Sequence, residues 1–304
     1  MTNKLFSRSG AEKLKKQVID AVPQSGLNMA SSLYNMINEL HSTEYYDDID
    51  IERLLLEQRT KEVNNIVKPH VPSEYNDMIY FSPSGSSKCK RELYYKALKS
   101  PKDEMPFYPY HKRWVRNASA VHEAVQRDLL YCEKVLQNAP FKVARNHEGL
   151  PMWEQNIKTF KTLEHNGETF GLYGMCDGIL YNVKENKNVG FEFKTKSTTI
   201  GAVGNYKMKD AQEGHKLQCT AYSLLYGIDE HLIMYESLAK DKWTANEDAK
   251  LDFRVFYHQV KDEHKKELLD KFAEVTKAVK EKQPPAREED KCLFCTYKGV
   301  CFEK

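Results

Sequence analysis

Apolar residues recur at helical spacing early in the chain. Leu33, Met36, Ile37 and Leu40 make one stripe, and Ile51, Leu54 and Leu55 make another. They predict a helical N-terminal extension over residues 1–75, a cap whose apolar face packs and which carries no catalytic role. The run Ser82-Pro83-Ser84-Gly85 predicts a helix start shortly after it, with Cys89 early in that helix and Arg91 two residues on. Residues 99–112 hold three prolines and read as a loop. A long helix is expected from about Arg113 to Leu136. Val121, Val125 and Leu129 mark its buried face, and His122 stands beside them, near small Ala118 and Ala120. Residues 141–175 give a weak pattern apart from a strand over Thr169–Met175, where Gly171 and Gly174 mark bends or close backbone approach. Further strands are expected at 231–236 and 252–258, side by side. Helices are expected over Lys209–Tyr226 and about Lys261–Lys282, the latter with the alternating charges of a solvated face.

The clearest strand pattern is Asp177–Lys196. Ile179-Leu180-Tyr181 and Val189–Phe193 flank a polar segment, Lys184–Asn188, so the stretch predicts a β-hairpin. With the turn centred on Lys184 and Glu185, Asp177 falls opposite Glu192, and opposed residues share a face. Strand alternation puts Lys194 on that face too. A slip of one residue would scatter the group. Two carboxylates suit a hard divalent cation such as Mg²⁺ or Mn²⁺, and the ammonium could orient a water or stabilise charge on a phosphate. Taken alone, a D…ExK spacing is most simply a cross-strand salt bridge.

Composition changes this picture little. The chain has 304 residues, 40% hydrophobic, with 18 Tyr and 13 Phe, which is enough for a globular core. The formal charge is only +2, so any nucleic-acid-binding surface must be local. The first residues carry no apolar signal core and no run could span a bilayer, so a cytoplasmic protein without a membrane partner is expected. Its seven cysteines should then be thiols or metal ligands.

Three cysteines stand close together near the end, as Cys292-x-x-Cys295 and then Cys301. Such spacing implies a metal, either zinc with a further ligand or an iron–sulfur cluster with a distant fourth cysteine. Cys89 is the candidate for the fourth. Cys132, Cys176 and Cys219 read as core thiols. On the Lys209–Tyr226 helix, Gln218 and Tyr222 share a face, with His215 three residues before Gln218. That face could hold a phosphate or a base, or be merely polar.

The ordered set Cys89, His122, Asp177, Glu192-x-Lys194, Gln218-x-x-x-Tyr222 and CxxC-x5-C resembles the RecB-like branch of the PD-(D/E)XK nuclease superfamily. It is most similar to the iron–sulfur members: the CRISPR-adaptation exonuclease family, the AddB nuclease domain and phage relatives. The resemblance covers residues 78–304, which divides the chain into the extension, 1–75, and a nuclease domain, 76–304. It implies an α/β fold, a restriction-endonuclease-like mixed sheet flanked by helices and closed by a cluster. His122, Asp177, Glu192 and the carbonyl of Phe193 would bind Mg²⁺ or Mn²⁺, and Lys194 would be the catalytic lysine. Gln218, Tyr222 and Arg91 would contact DNA. Cys89, Cys292, Cys295 and Cys301 would hold a [4Fe–4S] cluster. Gly174-Met175-Cys176-Asp177 keeps the family's Gly-x-x-Asp, whereas Ala118 and Ala120 stand where a glycine often precedes the helical histidine. The expected activity is a metal-dependent DNA exonuclease acting on single strands or ends, in replication, recombination, repair or CRISPR-type processing. The alternatives are a catalytically silent DNA-binding module and a zinc-stabilised interaction module. No P-loop motif is present, so unwinding would fall to a partner such as a helicase.

Overall fold

The computed structural model describes residues 22–66, 75–104, 106, 108–288 and 291–303. Residues 1–21 and 67–74 of the expected N-terminal extension lie outside them. The described part of that extension is helical, α1 (Gln24–His41) and α2 (Ile49–Asn65). Asp48 caps α2, its carboxylate accepting from the backbone N–H groups of Asp50 and Ile51.

The architecture is α/β, with two mixed sheets flanked by helices. The larger sheet runs in the order β2 (Phe141–Val143), β5 (Gly178–Asn182), β6 (Lys187–Lys196), β7 (Glu230–Ser237), β8 (Phe253–Gln259). All its pairs are antiparallel except β6–β7. A parallel pair needs a crossover, and α5 (Glu213–Tyr226) lies within it. The smaller sheet places β4 (Glu168–Gly174) between β1 (Tyr80–Phe81) and β3 (Thr159–His165). The other helices are α3 (Lys90–Ala97), α4 (Pro109–Val135), α6 (Asp262–Glu281) and the short α7 (Lys298–Phe302). No helix among the described residues is long and apolar enough to cross a membrane.

Strand alternation divides the core. Leu232 and Met234 of β7 join Phe191 and Phe193 of β6, the α1 stripe and Leu129 and Leu130 of α4 on one side of the sheet. Ile233 and Tyr235 face the other way, towards Cys219 of α5. The Leu33, Met36, Ile37 and Leu40 stripe is thus part of the main core.

Several expectations shift. The long helix starts at Pro109, four residues before Arg113, because a proline suits the first helical position. The helix expected from Lys209 starts at Glu213. The strand expected over Thr169–Met175 is β4, but it pairs with β1 and β3 and not with the hairpin sheet. Its glycines mark close approach: a Cβ on Gly171 would lie 2.3 Å from Phe160, and one on Gly174 2.5 Å from Pro83. β3 has no clean alternation in its sequence, TFKTLEH, and was not foreseen.

Candidate active site

The hairpin has the register its turn requires. Gly178 pairs with Phe191 and Asn182 with Lys187, so Asp177, one residue beyond the ladder, falls opposite Glu192. Asn182 builds the turn, its side-chain oxygen accepting from the N–H groups of Lys184 and Glu185. At the other end, Asp177 Oδ2 accepts from the Phe193 N–H at 2.8 Å. Gln126 of α4 donates to the Asp177 carbonyl at 3.1 Å. One turn earlier on α4, His122 Nε2 stands 3.4 Å from Asp177 Oδ1. Lys194 Nζ contacts Glu192 Oε1 as an ion pair.

Glu192 is wholly buried, and its carboxylate meets the Lys194 ammonium and the Tyr222 hydroxyl. Burial, and then the charge of Asp177, push its pKa up to about 8. Burial would also raise Asp177. The hydrogen bond and charge of His122, the charge of Lys194 and the Phe193 N–H outweigh it and hold Asp177 below the usual carboxylate range. Burial disfavours a charged His122 and Lys194, but the neighbouring carboxylates prevail and raise both.

Asp177, His122, Phe193 and Lys194 line a cavity of about 800 Å³. Its opposite wall comes from α2, with Gln58, Arg59 and Glu62, so the segment expected to be free of chemistry borders the site. Glu154 was also missed. Its carboxylate stands 3.2 Å from His122 Nδ1, on the side away from Asp177, so the imidazole lies between two acids. Glu154 holds this place with φ at +43°, a left-handed conformation unusual for a side-chain-bearing residue, its N–H donating to the Cys176 carbonyl at 2.9 Å. An isolated Glu in an unpatterned stretch gives no sequence signal for this.

Gln218 and Tyr222 do share a face of α5, Gln218 Nε2 donating to the Tyr222 hydroxyl at 2.6 Å. Tyr222 is buried, and burial with the charge of Glu192 raises its phenol well above the usual value. Neither residue is on the cavity wall. His215 turns to the Tyr235 hydroxyl, 2.7 Å away.

The four outlying cysteines come together elsewhere. Cys89 caps α3, its Sγ accepting from the Glu92 N–H at 3.2 Å, and with Cys292, Cys295 and Cys301 it lines one cavity of about 10 Å³. All are free thiols. Arg91 belongs to this cluster and not to the cavity beside His122: its Nε donates to the Pro285 carbonyl at 2.8 Å, and its Nη1 lies 3.7 Å from Cys301 Sγ. Asp103 ties the last turn down, accepting from the Gly299 N–H at 3.0 Å. Cys132, Cys176 and Cys219 are buried core thiols.

Among the described residues, no three His, Cys, Asp or Glu side chains form a ready-made cage for an ion. A fit to metal rests on the donor sets themselves: the carboxylates of Glu192 and an ionised Asp177 beside the His122 imidazole, and four thiols around one cavity.

The chain matches no protein-family model. No curated protein matches it. Among solved structures it is similar to SSO0001, at 16% identity and a TM-score of 0.41, over 86% of this chain and 99% of that one.

Proposed function

We propose that this chain is a metal-dependent deoxyribonuclease of the RecB-like PD-(D/E)XK type, with a [4Fe–4S] cluster closing the fold. The observation that carries the reading is the convergence of Asp177, Glu192, Lys194 and His122 where the hairpin end meets α4, beneath a cavity of about 800 Å³. The four-cysteine pocket supports it independently.

His122, Asp177, Glu192 and the Phe193 carbonyl would hold Mg²⁺ or Mn²⁺. Such an ion lowers the pKa of a bound water and offsets charge on a scissile phosphate. The chain's own groups supply the rest. The Phe193 N–H and the Gln126 amide fix Asp177 from two sides. Glu154 and Asp177 orient the His122 ring from its two nitrogens. Lys194, half-buried and drawn to the carboxylates, presents an ammonium to the cavity, where it can position a water or an anionic oxygen. Gln218 and Tyr222 sit behind Glu192 and shape that side of the site. Cys89, Cys292, Cys295 and Cys301 would ligate the cluster, joining α3 to the last residues of the chain.

The test is cleavage of end-labelled single- and double-stranded DNA by protein purified without oxygen, with Mn²⁺ or Mg²⁺. Shortening that requires the ion and is lost in Asp177→Ala is expected. An iron-loaded wild type that leaves every substrate intact would refute the hydrolytic reading in favour of a silent DNA-binding module.

A further inference from the structure

The first two turns of α4 carry a group of aromatic side chains that the fold leaves in solvent. Tyr108 is 51% exposed, Tyr110 45% and Trp114 49%. They are held by one another and by the His111 ring, 4.2 Å from that of Tyr110. The Tyr108 and Tyr110 rings lie 5.8 Å apart and only 9° from parallel, and the Trp114 ring meets Tyr110 edge-on at 5.6 Å. Arg113, three residues after Tyr110, is exposed on the same side of the helix, whereas Lys112 and Arg116, each two residues from Trp114, are exposed on the other side. No ion pair among the described residues neutralises Arg113.

The helix connects this group to the candidate site. Tyr110, Trp114, Ala118, His122 and Gln126 are four apart and form one continuous ridge. Its lower three members line the cavity. Trp114 stands about 12 Å along the axis from His122, roughly three nucleotides at stacking distance. Between them Ala118 leaves the ridge low.

We propose that the Tyr110–Trp114 face of α4, with Arg113 at its edge, is a stacking platform that grips single-stranded DNA and leads it to the His122 end of the site; this deepens the nuclease reading and rests on it. Half-exposed aromatic rings beside an exposed arginine match a ligand with exposed π-faces and a charged backbone. A duplex keeps its base faces inside its own stack, so it offers the aromatics nothing. A protein partner would call for a carboxylate against the arginine but not for stacking surfaces along a ridge into the cavity.

The experiment is binding of a fluorescein-labelled oligothymidylate, and of a blunt duplex, to the full chain in chelator, read by anisotropy over a salt series. The wild type should prefer the single strand. Trp114→Ala should weaken it about tenfold or more, while Trp114→Phe keeps most of the affinity. Arg113→Gln should flatten the dependence of log affinity on log salt by about 0.7. Trp114 is exposed, so Trp114→Ala should melt with the wild type, and a matched melt assigns lost binding to the platform. Unchanged single-strand binding by Trp114→Ala, or equal binding of the duplex, would overturn the proposal. So would concentration-dependent self-association that Trp114→Ala abolishes, since the patch would then join two copies. Cleavage without Trp114-dependent binding would sink the platform and leave the nuclease; Trp114-dependent binding without cleavage in Mg²⁺ or Mn²⁺ would do the reverse.

Discussion

Asp177 and Glu192 are both carboxylates, and their surroundings pull them apart. Asp177 has an N–H and an imidazole to receive its charge, while Glu192 is sealed in with Lys194 as its nearest counter-charge. Nothing local in DGILY or FEFKTK announces that split; it depends on α4 and on strand pairing. The roles proposed for these residues predict that Asp177→Ala and Lys194→Ala each lower the cleavage rate by about 100-fold or more, with an unchanged iron content. Normal turnover by either variant would remove the proposed site. The opposition of Asp177 and Glu192 itself was legible, because a turn centred on Lys184 and Glu185 sets the register. Glu154 was not legible, because its backbone conformation and its contact with His122 come from distant parts of the chain.

Among the elements, the packing of α1 on β8 and the pairing of β7 with β8 yield two predictions. A Cβ on Gly26 would lie 2.3 Å from the Tyr257 ring. That ring is fixed by its hydroxyl, bonded to Glu230 at 2.7 Å and Gln259 at 2.6 Å. Gly26→Ala should therefore destabilise the protein by about 1–3 kcal/mol in urea unfolding, although alanine is the better helix former. A rise in stability would mean that Tyr257 moves aside freely. His231 of β7 pairs with His258 of β8. Burial is the main reason that His231 is pushed down to about 3 and His258 to about 4. Both are neutral in the folded chain at neutral pH, whereas in the unfolded chain they take up protons from about pH 6.5 downwards. Stability is therefore fully present above about pH 6.5. It is lost as pH falls, by up to about 1.4 kcal/mol per unit for each histidine, until the folded values near 4 and 3 are reached. Melting temperatures measured from pH 7 to pH 4 should show the decline, and His258→Gln should reduce its slope; an unchanged slope would place the acid sensitivity elsewhere.

For the whole molecule, the consequential join is between Cys89 and the Cys292–Cys301 segment. A cross-link over so long a stretch stabilises a fold by about 5 kcal/mol in a chain-entropy account. With the cluster proposed, Cys89→Ala should be colourless, lack iron and acid-labile sulfide, and melt well below the wild type. A soluble, fully active Cys89→Ala protein without iron would refute that role, and zinc in place of iron in the wild type would favour an interaction module. The structure already brings these ends together through protein contacts, with Arg91 and Arg287 both donating to the Cys301 carbonyl. Chelation should thus lower the melting temperature without erasing the cavity beside His122.

Read alone, the sequence determined what depends on neighbours along the chain. The α1 stripe, the buried face of α4, the hairpin register and the two adjacent strands of β7 and β8 all follow from spacing, because periodicity and turn chemistry act over a few residues. Tertiary structure alone decided the smaller sheet, the wall that α2 gives the cavity, the place of Glu154 against His122 and the position of Arg91 among the cysteines. Each of these joins residues far apart in sequence through packing, and no local pattern encodes which distant partner will fill a given space.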